Sequence, residues 1–104
     1  MTYNSAQLAA LGDKTRRSIF ELIAERPRSV AEITRKVPVS QSAVSQHLKV
    51  LRGAQLVRAE PKGASNVYHI DPAGLGQMRV WLDRFWATAL EEFRIHTDSE
   101  GEDR

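Results

Sequence analysis

Val39-Ser-Gln-Ser-Ala-Val-Ser-Gln-His-Leu-Lys-Val-Leu-Arg-Gly53 is the stretch that decides the fold of this chain. Val44, Leu48 and Leu51 recur four and three residues apart, so they share one face of a helix. Ser40 precedes that helix as an N-cap and Gly53 ends it, which predicts a helix from Gln41 to about Arg52. Gln41, Ser42, Ser45 and Gln46 fall away from the apolar face, in the N-terminal half. Just upstream, Ser29-Val-Ala-Glu32 has the form of a capping box, and Val30, Ile33 and Val37 predict a short helix over Val30–Val37 that Pro38 breaks. The connection left between the two helices, Pro38-Val39, is very short. A short helix, a tight turn and a second helix with a polar outer face make the helix-turn-helix pattern. A plain helical hairpin inside a bundle shares the tight turn.

The flanks extend this reading. Ser5–Leu11 predicts a short helix with Leu8 and Leu11 on one side and Gly12 as its stop. Asp13 caps a second helix, from Lys14 to about Glu25, with Ile19, Phe20, Leu22 and Ile23 as its apolar residues and Pro27 as its end. After Gly53, Leu56–Glu60 and Val67–Ile70 are β-prone runs flanking the turn residues Pro61–Asn66, which reads as a hairpin. A hairpin directly after a helix-turn-helix is a wing.

Asp71-Pro72 restarts a helix, expected to run to about Arg94 with a first turn weakened by Gly74 and Gly76. Leu75, Met78, Leu82, Phe85, Trp86, Ala89, Leu90 and Phe93 form a wide stripe on it, while Val80 and Trp81 lie off the stripe and give a second apolar face. One small domain covers one face, so the surplus predicts burial against another chain. Leu8, Leu75, Met78, Leu82, Phe85, Trp86, Ala89 and Phe93 are the expected dimer contacts. The fold class is mainly α with a small β-hairpin wing, a winged helix-turn-helix over residues 1–96 that dimerises through its terminal helices. Residues 97–104 are expected to be a polar, disordered tail.

Length and composition fit this picture. The 104 residues suit one domain with a modest core. Residues 1–62 hold eleven Lys or Arg against five Asp or Glu, and residues 63–104 hold four against eight. A basic body with an acidic end is the asymmetry of a chain whose one part meets a polyanion. The sequence contains no cysteine, which excludes disulfides, thiolate metal sites and cysteine redox switches. No apolar run approaches a membrane span, and Met1–Ser5 lacks the pattern of a signal peptide, so the cytoplasm is the expected compartment.

The run Val39–Arg58 resembles the helix-turn-helix signature of the ArsR-like winged-helix regulators. Leu11-Gly-Asp-Lys-Thr-Arg-Arg17 resembles the opening of that family's second helix. Asp71-Pro-Ala-Gly-Leu75, followed by Trp81-Leu-Asp-Arg-Phe-Trp86, is similar to the last helix of a cysteine-poor branch. The resemblance covers all but the last ten residues, and its long central run is the specific part. It implies a homodimer joined by the terminal helices, two recognition helices facing one side, and repression at a promoter, often the regulator's own, relieved by a signal.

The expected partner is double-stranded DNA. Gln41, Ser42, Ser45 and Gln46, with Ser40 before them, are placed to contact bases or backbone, since a glutamine amide can bond adenine bidentately and a serine hydroxyl suits either base type or a phosphate. Lys49, Arg52 and Lys62 are expected at phosphates, and His47 either approaches DNA or packs at the helix edge. Arg16 and Arg17 are expected to serve the body. The wing tip, Lys62-Gly-Ala-Ser-Asn66, departs from the family in lacking the arginines that many relatives carry there.

No cofactor or metal is expected, and the residues leave the effector open. Where thiolate-sensing relatives carry Cys-x-Cys this chain has Ser29, Val30 and Ala31, and where others carry Asp-x-His it has Asp83-Arg-Phe85. His96, Asp98 and Glu100 offer nitrogen and oxygen ligands, but their spacing is not a recognised metal pattern and solvated tail residues are the better reading. The alternatives are a winged helix that binds a protein instead of DNA, and a metal- or small-ligand-responsive repressor with a non-thiolate site, such as an aromatic-lined pocket between subunits. None of His47, His69 and His96 stands in a catalytic motif, and the six glycines form no phosphate loop, so no enzyme is expected.

Overall fold

The computed structural model describes residues 5–102, and the side chains of residues 6–94. The order is α1 (Ser5–Gly12), α2 (Lys14–Glu25), β1 (Arg28–Ser29), α3 (Val30–Thr34), α4 (Gln41–Gly53), β2 (Val57–Lys62), β3 (Ser65–Ile70) and α5 (Pro72–Glu102). Ile19 and Ile23 of α2, Ile33 of α3, and Val44, Leu48 and Leu51 of α4 interlock in the core with Leu56, Val57 and Tyr68 from the sheet. Phe20, Val30, Val37 and Val39 pack around its rim. The core is thus assembled from the residues whose helical spacing marks them as apolar faces.

The caps form as their residue types dictate. The Asp13 carboxylate accepts from the Arg16 N–H at 2.9 Å. Ser29 Oγ accepts from the Glu32 N–H at 3.2 Å while Glu32 Oε1 accepts from the Ser29 N–H at 3.1 Å, a complete capping box. Backbone donors hold both carboxyls below their ordinary range, the Arg16 N–H for Asp13 and the Ser29 N–H for Glu32, with the Arg26 guanidinium adding to the second.

Several boundaries differ from expectation. α3 stops at Thr34 rather than Val37, because Pro38 has no N–H to give the Thr34 carbonyl and its ring pushes Val37 out of the helical region. The turn between α3 and α4 is therefore residues 35–40, longer than Pro38-Val39 alone. The wing strands run further than expected and the turn shrinks to Gly63-Ala64, with Lys62 paired to Ser65. Gly63 has φ +63° and Ala64 has negative φ, the sign pattern of a type II′ turn, which suits the twist of a hairpin. Pro61 stays within β2 because that strand is a sheet edge, where a missing N–H costs no ladder bond. The sheet also has a third member, in order β1-β3-β2, with Arg28 opposite Tyr68 and Ser29 opposite Val67. This two-residue strand ties the wing to the base of α3.

α4 ends in a Schellman motif without the usual glycine. The Leu56 N–H donates to Leu51 O at 2.9 Å and the Gln55 N–H to Arg52 O at 3.0 Å, with Gln55 at φ 60°. Gly53 lies inside the helix and is not the left-handed residue. The Gln55 carbonyl in turn accepts from the Gly74 N–H at 2.8 Å. A Cβ on Gly74 would stand 2.4 Å from that oxygen and 2.8 Å from Ala54 O, so Gly74 is a required close approach and not merely a weak helix former.

α5 starts on Asp71, whose carboxylate accepts from the Ala73 N–H at 2.9 Å. It continues past Arg94 to Glu102, since no proline interrupts it; the stretch expected as a disordered tail is helical as far as Glu102, and residues 103–104 lie outside the described residues. Among the described residues, only its first turns pack on the body. From Leu82 to Arg94 every residue is exposed, and the whole molecule measures 68 × 25 × 23 Å.

Gly74→Ala is expected to lower stability by about 1–3 kcal/mol, the range for forcing atoms into a packed contact, read as a fall in the urea midpoint at unchanged slope. The two lowered carboxyls make a second prediction. A depressed folded-state pKa stabilises above the unfolded value, and the contribution disappears as pH falls through the folded one. Stability is expected to be level near neutrality and to drop below about pH 4, with Glu32→Gln removing part of that drop while lowering the neutral plateau.

Candidate nucleic-acid interface

Val44, Leu48 and Leu51 anchor α4 on the core, and this fixes what the other side of the helix presents. Gln41, Ser42, Ser45, Gln46, Lys49 and Arg52 are all exposed. Ser40 is exposed too, but its hydroxyl is engaged as the cap, accepting from the Ala43 N–H at 3.1 Å. Lys62 is exposed at the end of β2, beside the wing turn. From Ile33 to Ala59 the chain has no Asp or Glu and five Lys or Arg: Arg35, Lys36, Lys49, Arg52 and Arg58. The recognition helix thus sits in a stretch without fixed negative charge, the condition for approaching a polyanion.

His47 is half-buried at the edge of the polar face. Its Nδ1 lies 3.3 Å from Arg16 Nη1. The same guanidinium donates from Nε to Ala10 O at 2.7 Å and from Nη2 to Ala9 O at 3.4 Å. Arg16 therefore ties the C-terminal end of α1 and the start of α2 to the middle of α4. Arg17 donates to Leu11 O at 3.2 Å, so both arginines serve the body as expected. His69 is also structural, with Nε2 at 2.9 Å from Glu60 Oε1 across the wing.

A second polar junction joins α1, the end of α4 and α5. Gln7 Nε2 donates to Ala54 O at 2.8 Å and to Gln77 Oε1 at 2.9 Å, and Gln77 Nε2 donates to Gln55 Oε1 at 3.2 Å. Arg16, Gln7, Gln55 and Gln77 escaped site assignment from sequence. Arg16 lies within the family-like Leu11–Arg17 segment, but the three glutamines follow no period and stand in no motif.

The α5 residues expected at a dimer seam are open to solvent: Leu75, Leu82, Phe85, Trp86, Ala89 and Phe93 are exposed, as is Leu8 on α1. Leu90 belongs with them. Met78 borders this face and also packs, partly buried, against the core of its own chain. Trp81 is a correction: it is half-buried, with its ring edge-on to Phe85 at 4.8 Å, and does not form a second apolar face with the exposed Val80. Leu75, Met78, Arg79, Leu82, Asp83 and Trp86 line an open depression, and since all six belong to α5 it has only one wall. Among the described residues no cluster of His, Asp or Glu has the geometry to hold a metal ion, and the side chains of His96, Asp98 and Glu100 lie outside them. Among the described residues, too, no helix is long and apolar enough to cross a membrane.

Comparison with known proteins agrees with this architecture. Residues 13–59 match the family described as bacterial regulatory protein, arsR family. The chain is 51% identical over 104 residues to the HTH-type transcriptional regulator Rv2034 of Mycobacterium tuberculosis, covering 98% of this chain and 97% of that protein. Among solved structures, a possible transcriptional regulator for arsenical resistance superposes with a TM-score of 0.70 at 39% identity, over 77% of this chain and 83% of that one. The homodimeric winged helix-turn-helix DNA-binding domain Mb0332 of Mycobacterium bovis superposes with a TM-score of 0.64 at 26% identity, over 83% and 79%. A winged helix-turn-helix built on this core, together with near full-length similarity to a named regulator, places the chain in the ArsR family of bacterial transcriptional regulators.

Proposed function

We propose that this regulator is a cytoplasmic homodimeric repressor that binds an inverted-repeat operator, its own promoter included, and has no catalytic activity and no cofactor. The observation that carries the DNA reading is the exposed set Gln41, Ser42, Ser45 and Gln46 at the N-terminal half of α4, in a stretch free of acidic residues. Groups there read base edges when the helix enters the major groove, while Lys49 and Arg52 behind them and Lys62 on the wing neutralise phosphates. The dimer rests on α5. Leu82, Phe85, Trp86, Leu90 and Phe93 are each more than half exposed. A projecting helix with no neighbour keeps its shape poorly in water, and a second copy supplies the missing wall. Two recognition helices held by one seam then require half-sites about one helical turn apart, or a multiple of it.

A gel-shift titration against the chain's own upstream DNA, with a scrambled duplex as competitor, tests the reading. A discrete complex that resists the competitor is expected. Equal loss to both duplexes would locate the operator elsewhere, and no complex at low salt would favour a protein partner. Gln41→Ala and Ser45→Ala are expected to weaken operator binding by about 1–3 kcal/mol each where the side chain bonds a base edge, with nonspecific binding nearly unchanged. Lys49→Gln is expected to weaken both and to reduce the log–log salt slope by about 0.9 for each phosphate it leaves unneutralised. Trp86→Glu places a charge in the seam and is expected to yield monomers in sedimentation velocity, whereas Val80→Glu, off the stripe, leaves the dimer intact.

A further inference from the structure

The contact between Arg16 and His47 fixes more than position. A guanidinium has only donors, so at 3.3 Å from Arg16 Nη1 the His47 Nδ1 must act as the acceptor. A ring whose Nδ1 accepts is neutral and carries its proton on Nε2. Among the described residues the one buried side-chain nitrogen or oxygen without a partner is Gln7 Oε1. Among the described residues His47 Nε2 has no hydrogen-bond partner and is not one of the buried partnerless atoms, so it is open to solvent there, on a side chain one residue beyond the exposed Ser45-Gln46 pair.

We infer that Arg16 is a positioning residue for DNA recognition: it locks His47 as the Nε2–H tautomer, so that the recognition helix offers the duplex an N–H donor and no acceptor at this point. This rests on the DNA-binding reading above. The partner of that donor is an acceptor on the duplex. In the major groove the acceptors are guanine O6 and N7, adenine N7 and thymine O4, whereas the amino groups of cytosine and adenine are donors and are refused. A phosphate oxygen offers the same chemistry without sequence information. Arg16 is well suited to the task because it is held independently of the histidine, through Ala10 O at 2.7 Å and Ala9 O at 3.4 Å, so its orientation does not depend on the ring it orients.

The test has one arm without DNA and one with it. Long-range proton–nitrogen NMR of the full chain should show a pyrrole-type Nε2 and a pyridine-type Nδ1 for His47. Arg16→Ala, confirmed as folded by its thermal transition, should move both nitrogens toward averaged shifts. A proton on Nδ1, or averaged shifts already in the native protein, overturns the tautomer lock. For the second arm, duplexes selected by the native protein from a random-sequence pool are compared with a scrambled duplex. His47→Asn keeps an acceptor for Arg16 but offers no outward donor, and His47→Gln returns a donor near the Nε2 position. A loss of about tenfold with Asn, recovered in part by Gln, is expected. Loss confined to the selected duplex assigns the donor to a base, and equal loss on both duplexes with a shallower salt slope assigns it to a phosphate. If the native protein binds and His47→Asn binds within twofold of it, the proposal falls while the DNA reading stands. If the native protein binds no duplex, both fall together.

Discussion

Three consecutive residues, Ala54, Gln55 and Leu56, hold the ends of most elements of this protein, and their backbone is where its geometry is set. The Ala54 carbonyl accepts from Gln7 of α1, the Gln55 carbonyl from the Gly74 N–H of α5, and the Leu56 carbonyl from the Asp71 N–H at 3.0 Å. Leu56 and Ala54 are buried, and Leu56 opens directly into β2. A left-handed backbone at Gln55 is what turns these three carbonyls outward, and glutamine adopts it at a cost of order 1–3 kcal/mol. The return is a joint with little freedom. Gly74 is packed against the Gln55 carbonyl so closely that no side chain fits, so the first turn of α5 cannot slide relative to the end of α4. The direction in which α5 leaves the body is therefore determined by the residues that terminate the recognition helix.

That joint gives the long helix its meaning. α5 has 31 residues, about 46 Å at helical rise, and its described residues from Leu82 to Arg94 are all exposed. A lever of that length magnifies any error at its base, which is why a rigid attachment matters more than a large one. The Gln7–Gln77–Gln55 chain supplements it with side-chain bonds from three elements. Whatever pairs with the apolar face of α5 is consequently placed at a defined distance and angle from the polar face of α4. In a twofold assembly this single joint, used twice, would set the separation of the two recognition helices.

The parts of the fold carried by period and punctuation were legible in the sequence. The core faces of α2 and α4, the Ser29 capping box, the Asp13 cap and the existence of the wing follow from residue spacing and from residues with one strong local preference. What escaped depends on contacts between segments distant in the chain. β1 is two residues long and exists only because β3 lies beside it. Gly74 reads as a helix weakener until the Gln55 carbonyl is seen against it, and Gly53 reads as the stop of α4 until the left-handed turn is found two residues later, at Gln55. Met78 and Trp81 sit within an apolar helix, and sequence alone does not divide that helix between a surface its own domain covers and a surface it leaves open. The outward polar set on α4 was legible because it is the complement of a periodic core face. The Arg16–His47 bond was not, since 31 residues separate its partners.

The fate of the basic residues shows how structure converts a charge count into a surface. Of the Lys and Arg in residues 1–62, four are committed internally: Arg16 and Arg17 to carbonyls at the end of α1, Arg28 to Leu22 O at 2.8 Å and Glu25 at 2.7 Å, and Arg26 to Glu32 at 2.8 Å. Arg28 is almost fully buried, so its charge is spent closing the C-terminal end of α2 and is absent from the surface. Among the described residues, Lys14, Arg35, Lys36, Lys49, Arg52, Arg58 and Lys62 make no ion pair, and all but Lys14 lie in or beside the helix-turn-helix and wing. Arginine fills every internal post because its planar fork can serve two or three acceptors at once, which an ammonium on a flexible stem does less well. All three lysines from Lys36 to Lys62 remain exposed, and a mobile point charge suits phosphates whose spacing it need not match in detail. The internal posts are all arginines, while the charges left unpaired are of both types, and all of these but Lys14 lie around the helix face that the apolar core turns outward.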